Sequence, residues 1–291
     1  MTIYHAVIHT MTEAGTIPHG FLTVENGKIT CVQSGDPDTV TEDDLDAKGS
    51  LLLPGFIDAH THLGILEDGL DFEGDDCNEC TDPFTPHLRA IDGVNPLDRC
   101  FSEALAAGVT TVMTTPGSAN PCGGTMLILK TAGNCVDDMK LTFGGIKFAL
   151  GENPKSVYHG RDEMPFTRMA TAAIIREGLY KAKRYLEQWE AVEEAEDQPD
   201  YDAKCEALLP LLRREYKAHF HCHRADDMMT AIRIAKEFHL DAVLVHGTEG
   251  HRIPDIIQRA GVPIICGPIL CDRCKPELRD LEITTPNILY Q

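Results

Sequence analysis

His60 and His62 stand two residues apart at the end of an apolar run, LLLPGFIDAHTHLG (51–64). Residues two apart on a strand share a face, so both imidazoles can reach one metal ion. Histidines recur at the ends of later apolar runs: His221 and His223 in YKAHFHCH and His246 in DAVLVHG. A lone histidine is ordinarily a satisfied structural group. Several at equivalent strand ends, on what would be the catalytic face of a barrel, point to a shared site.

Lys147 lies inside the apolar stretch GGIKFALGENP. A lysine there is costly unless it is paired, modified or able to snorkel to the rim. A neutral amine could instead take up carbon dioxide, giving a carbamate whose two oxygens bridge two ions. Glu152, at the end of the same stretch, is the simpler oxygen ligand and a rival for that place.

These residues need elements to hold them. Residues 1–50 alternate like short strands, with Asn26-Gly27 as a two-residue hairpin signal, and an acidic link leads to the run at 51–64. Strands and helices then alternate. Helices are expected over 96–108, 166–193, 201–215, 226–239 and 253–260. Further strands are expected at 109–115, 124–130, 141–151, 216–223, 241–246 and 262–266. Glu152-Asn153-Pro154-Lys155 reads as a loop, the acidic run 190–200 as a solvated helix end, and the segment after Pro276 as a loop and the start of a helix. Alternation of this kind predicts an α/β fold with a parallel sheet, as a (β/α) barrel of about seven strands.

PGFIDAHTHLG resembles the first-strand signature of the amidohydrolase superfamily, and KFALGENPK, HFHCHRADD and VLVHGTEG are similar to its imidazolonepropionase-related branch of metal-dependent hydrolases. The resemblance covers essentially the whole chain. It implies a (β/α)8 TIM-like barrel over 51–291, preceded by part of a small β-sandwich domain over 1–50. It also implies metal ligands at His60, His62, carbamylated Lys147 or Glu152, His221 and His246, with His221 ranked above His223 and His219 lower still. The implied cofactor is a divalent metal, Zn2+ first, as one or two ions. The implied reaction is cleavage of a C–N bond, such as a cyclic amide, by metal-activated water. The family also places a proton-shuttling aspartate at the end of an eighth strand. The chain ends at Gln291 before such a strand is reached, so the expectation is an incomplete barrel with no assigned catalytic acid; Asp272 is not given the role. A fragmentary or inactive barrel with a binding or subunit role is the alternative.

Substrate contacts are sought in loops. TPGSANPCGG (115–124) has the small residues that allow close backbone approach to a ligand. His87, Arg89, His223 and Arg224 are candidates for holding a small-molecule substrate, the arginines through a carboxylate, although Arg224 could equally pair with Asp226 or Asp227.

Composition bounds the partners. With 26 basic and 46 acidic residues the formal charge is −20, which opposes binding to nucleic acid or anionic membranes. No stretch approaches the roughly 18 apolar residues of a membrane span and no signal peptide is evident, so a cytoplasmic protein, with a homo-oligomer left open, is expected. Eleven irregularly spaced cysteines read as reduced thiols. The alternative is a four-thiolate zinc site from Cys77/Cys80 and Cys271/Cys274.

Overall fold

Asn26 and Gly27 both adopt left-handed dihedrals, φ 51° and 73°, and close the hairpin that the dipeptide predicts. The hairpin joins β2 (Thr16–Glu25) to β3 (Lys28–Ser34), with Glu25 opposite Lys28. The computed structural model describes residues 1–192, 194 and 198–291, and the chain forms two units, 1–56 and 57–291. The acidic run 190–200 lies partly outside the described residues.

In the first unit β1 (Thr2–His9) pairs antiparallel with β2 and parallel with two short strands, β4 (Leu45–Asp46) and β5 (Leu51–Leu52). The stretch 51–64 is therefore not one strand. Leu53-Pro54-Gly55 interrupts it, because proline cannot donate to a ladder, and β6 (Phe56–Thr61) belongs to the next sheet.

Among the described residues the second unit has a seven-stranded sheet in simple chain order. From β6 it continues through β7 (Val109–Thr114), β8 (Cys122–Lys130), β9 (Lys140–Ala149), β10 (Ala218–Cys222), β11 (Ala242–His246) and β12 (Ile264–Cys266). Strands β9 to β12 run parallel. Strand β8 is antiparallel to both neighbours, which corrects the expectation of parallel units throughout. The reason is connection length. A parallel crossover needs a dozen or more residues, and the links on either side of β8 are shorter.

The helices are α1 (Ala90–Gly93), α2 (Arg99–Ala106), α3 (Val136–Met139), α4 (Glu152–His159), α5 (Arg168–Ala191), α6 (Ala203–Leu212), α7 (Ala225–Phe238), α8 (Pro254–Ala260) and α9 (Thr285–Tyr290). Helix α4 replaces the loop expected at 152–155. Pro154 sits in its first turn, where a missing N–H breaks no helical bond. Side-chain caps fix several starts: Asp98 accepts from Cys100 N, Thr167 from Ala170 N, and Asp202 from Lys204 N and Cys205 N.

One face of the parallel strands carries the larger core. Ile146 and Phe148 of β9, Ala218, Phe220 and Cys222 of β10, and Ala242 and Leu244 of β11 pack with Ile175, Leu179, Leu208, Leu211 and Met228 from the helices. Phe148 and Phe220 stack at 5.0 Å between centroids. Each of the buried Ile, Leu, Phe and Met side chains among these contributes about 1.5–3 kcal/mol. By the two-residue period of a strand, Lys147, His219 and His221 are left on the opposite face.

Candidate metal centre

The inner face of the sheet gathers the histidines. His60 on β6 meets His246 on β11 with ring centroids 5.1 Å apart, so the sheet curls far enough to bring these distant strands together as a TIM-like barrel does. His60 lies 5.7 Å from His62, and His246 lies 4.5 Å from His221 and 4.4 Å from His223. Possible ligand atoms of His221, His223 and His246 all fall within 4.8 Å of one another. Lys147 is directly opposite His219 across the β9–β10 ladder and is 0% exposed.

His246 reaches this group through a break in its strand. Strand alternation would put it beside Leu244, on the helix side. Its φ of 77° and the φ of 56° at Gly247 turn the chain into the left-handed region and bring the imidazole to the other histidines. A non-glycine residue held there is strained, and such strain collects at functional sites.

Two of the imidazoles are held in defined tautomers. His62 Nδ1 donates to the Thr115 carbonyl at 2.7 Å, and His246 Nδ1 donates to the Gly267 carbonyl at 2.7 Å. A neutral ring that donates from Nδ1 keeps its lone pair on Nε2. His221 Nδ1 contacts Ser118 Oγ at 2.9 Å, and His223 Nδ1 contacts Thr248 Oγ1 at 2.7 Å. Burial pushes His223 down to about 4 and His246 down to about 3, and lowers His60, His62 and His221 as well. Neutral imidazole is the form that binds metal.

Both ring nitrogens of His60 are buried with no hydrogen-bond partner among the described residues. An orphaned buried polar group is costly, and a coordinated ion would satisfy one of them. The donor set therefore fits a divalent metal: clustered neutral imidazoles, most with Nδ1 engaged, around a histidine that lacks other partners.

Lys147 Nζ donates to the Pro116 carbonyl at 3.1 Å, and burial pulls its pKa down to about 7, opposed by the nearby Cys77. The loop Thr115–Ser118 thus contacts His62, Lys147 and His221. Its observed contacts orient the site residues, rather than presenting only an open backbone for a ligand.

Other candidates lie elsewhere. Glu152 begins α4, and its carboxylate accepts the Glu277 backbone N–H at 3.2 Å. Arg89 is bonded twice to Asp92 and Arg224 twice to Asp226, and His87 is exposed. Asp272 is exposed. All eleven cysteines are free, and among the described residues the group able to hold a metal consists of histidines, not the C-x-x-C pairs.

Sequence reasoning missed Glu277. Its side chain is 1% exposed, with Oε1 3.7 Å from His221 Nε2 and 3.6 Å from His223 Nε2. It lies in a 3-10 turn, Pro276–Leu278, in a segment without periodicity, so nothing local signals the approach.

Comparisons with known proteins agree with this architecture. The sequence profile described as "Amidohydrolase family" matches residues 51–266. The amidohydrolase tasK of Hapsidospora irregularis is 30% identical over 266 residues, covering 82% of this chain and 27% of that protein, so the chain spans about a quarter of that relative. A 5-methylthioadenosine/S-adenosylhomocysteine deaminase of Bacillus thuringiensis is 40% identical over 65 residues, 21% of this chain and 15% of its own. A solved amidohydrolase from Thermotoga maritima MSB8 superposes with a TM-score of 0.93 at 40% identity, covering 99% of this chain and 75% of that one. Among the described residues no helix is long and apolar enough to cross a membrane.

Proposed function

Because the chain belongs to the amidohydrolase family, we propose that it hydrolyses a C–N bond, such as that of a cyclic amide, in a small-molecule substrate. One or two divalent ions, zinc first, would be held by His60, His62, His221 and His246 with carbamylated Lys147. The convergence of neutral, buried imidazoles carries this reading. Lys147 is preferred to Glu152 because it is wholly buried on the histidine face of β9, opposite His219, whereas Glu152 begins α4. Reduced cysteines suit a cytoplasmic location.

When bound, a divalent ion would supply Lewis acidity, lowering the pKa of coordinated water to about 7 and polarising a carbonyl oxygen. The chain's own groups prepare for it. The Thr115 and Gly267 carbonyls fix the tautomers of His62 and His246, leaving Nε2 basic. Near neutral pH a fraction of Lys147 is an uncharged amine. Its lone pair can add to carbon dioxide, forming an N–C bond and releasing one proton, and the product carries a carboxylate-like anion.

Metal analysis of protein purified without chelator tests the reading. About one or two equivalents of zinc, manganese or iron are expected, and His60→Ala should lower that content. Metal-free wild type and an unaffected His60→Ala variant would overturn it. Turnover of lactams, dipeptides and aminopurines then locates the substrate class, the last group being suggested by the deaminase relative.

A further inference from the structure

We propose that Glu277 is a carboxylate ligand of the histidine site, facing His221 and His223 from the segment that follows β12. The inference rests on the metal reading above. Glu277 is almost wholly buried, and its two oxygens have different surroundings. Oε2 accepts the Glu152 N–H at 3.1 Å, at the start of α4, where the helix dipole favours an anion. That bond holds the carboxylate in place. Oε1 is directed at the histidines, 3.7 Å from His221 Nε2 and 3.6 Å from His223 Nε2. Two ligands about 2.0–2.1 Å from one tetrahedral ion would stand about 3.3 Å apart, so the 3.7 Å between Oε1 and Nε2 of His221, itself a proposed ligand, needs only a small contraction.

The charges point the same way. Lys275 Nζ lies 2.7 Å from Oε1, so a cation already meets this oxygen. Lys275 is partly exposed and also donates to Asn153 Oδ1 at 3.3 Å, which leaves it a partner if it withdraws. Asn153 Nδ2 in turn lies 3.3 Å from His221 Nε2, consistent with a lone pair on that nitrogen. With a Lys147 carbamate as the one anion, a divalent ion among neutral imidazoles would keep a net positive charge in a buried site. A carboxylate reduces that cost.

The experiment uses the full chain, stripped with chelator and titrated with zinc against a competing chelator. Glu277→Gln should raise the zinc Kd by at least the roughly 10- to 100-fold that even an outer partner of a ligand costs. In wild type labelled with 13C-glutamate, the zinc-minus-apo infrared difference spectrum should contain carboxylate bands that carry the isotope shift. A Lys147 carbamate, built from carbon dioxide, would not show that shift. If wild type binds zinc but Glu277→Gln binds it equally, or the spectrum lacks isotope-sensitive carboxylate bands, Glu277 is not a ligand and the metal reading stands. If wild type binds no zinc, both fall. The infrared measurement needs no Glu277 variant: isotope-shifted bands that persist in labelled Glu152→Gln support Glu277, and bands lost there assign the ligand to Glu152 and overturn the proposal. A Glu277→Gln protein that fails to fold therefore does not remove the test.

Discussion

Glu152 and Glu277, 125 residues apart in sequence, brace each other reciprocally: each carboxylate accepts the backbone N–H of the other, at 3.1 and 3.2 Å. The pair ties the start of α4 to the 3-10 turn that carries Glu277 to the histidines. Glu152→Ala removes the acceptor for the Glu277 N–H and should cost about 1–3 kcal/mol. Amide exchange at Glu277 should speed up in step. A variant with unchanged exchange at Glu277 would show that the brace does not anchor the turn.

The buried histidines make metal-free protein sensitive to acid. His219 and His223 are pulled down to about 4 and His246 to about 3, each chiefly by burial. Between pH 6.5 and about 4 the unfolded chain therefore binds protons that the folded chain refuses. Stability should fall as pH falls through this window, by on the order of 1 kcal/mol per pH unit for each such histidine. Urea unfolding of chelator-stripped protein at pH 7, 6 and 5 measures the slope, and a flat profile would contradict the neutral assignment.

Lys147 acts in the opposite part of the pH range. Burial brings its pKa from 10.5 to about 7, so between these values the unfolded chain holds a proton that the folded chain has shed. Metal-free wild type should gain stability as pH rises from 7 towards 10, by on the order of several kcal/mol in total. Lys147→Met should lack this gain and be the more stable protein at pH 7. It should also lose the bicarbonate-dependent part of metal uptake. A parallel pH profile for the two proteins would mean that the amine is not desolvated.

What the sequence reveals about the site depends on how each residue reaches it. His60/His62 and His221/His223 are legible because they keep strand alternation to the end of an apolar run. His246 is half legible: its position at a strand end is evident, but alternation points it to the helix side, and only the left-handed turn at His246-Gly247 redirects it. Glu277 is not legible, since its approach depends on a bond to a residue 125 positions away. The direction of β8 is hidden for another reason. An apolar run reads alike in either direction, and only the short links at its ends make it antiparallel.

Gly145 sets how closely β9 can lie against β10, and hence where Lys147 sits relative to the histidines. Its φ is 138°, and a Cβ there would stand 2.3 Å from the Lys217 carbonyl oxygen and 3.1 Å from His219 Cδ2. Backbone cannot swing aside as a side chain can. Gly145→Ala should therefore cost roughly 2–5 kcal/mol and weaken metal binding by displacing Lys147. At neighbouring Gly144 the added Cβ would meet the Met113 sulfur at 2.6 Å, the movable part of an unbranched side chain. Gly144→Ala should cost less, with metal affinity near that of wild type. Denaturant midpoints and zinc titrations of the two variants check the contrast, and equal losses in both would mean that the β9–β10 spacing does not control the site.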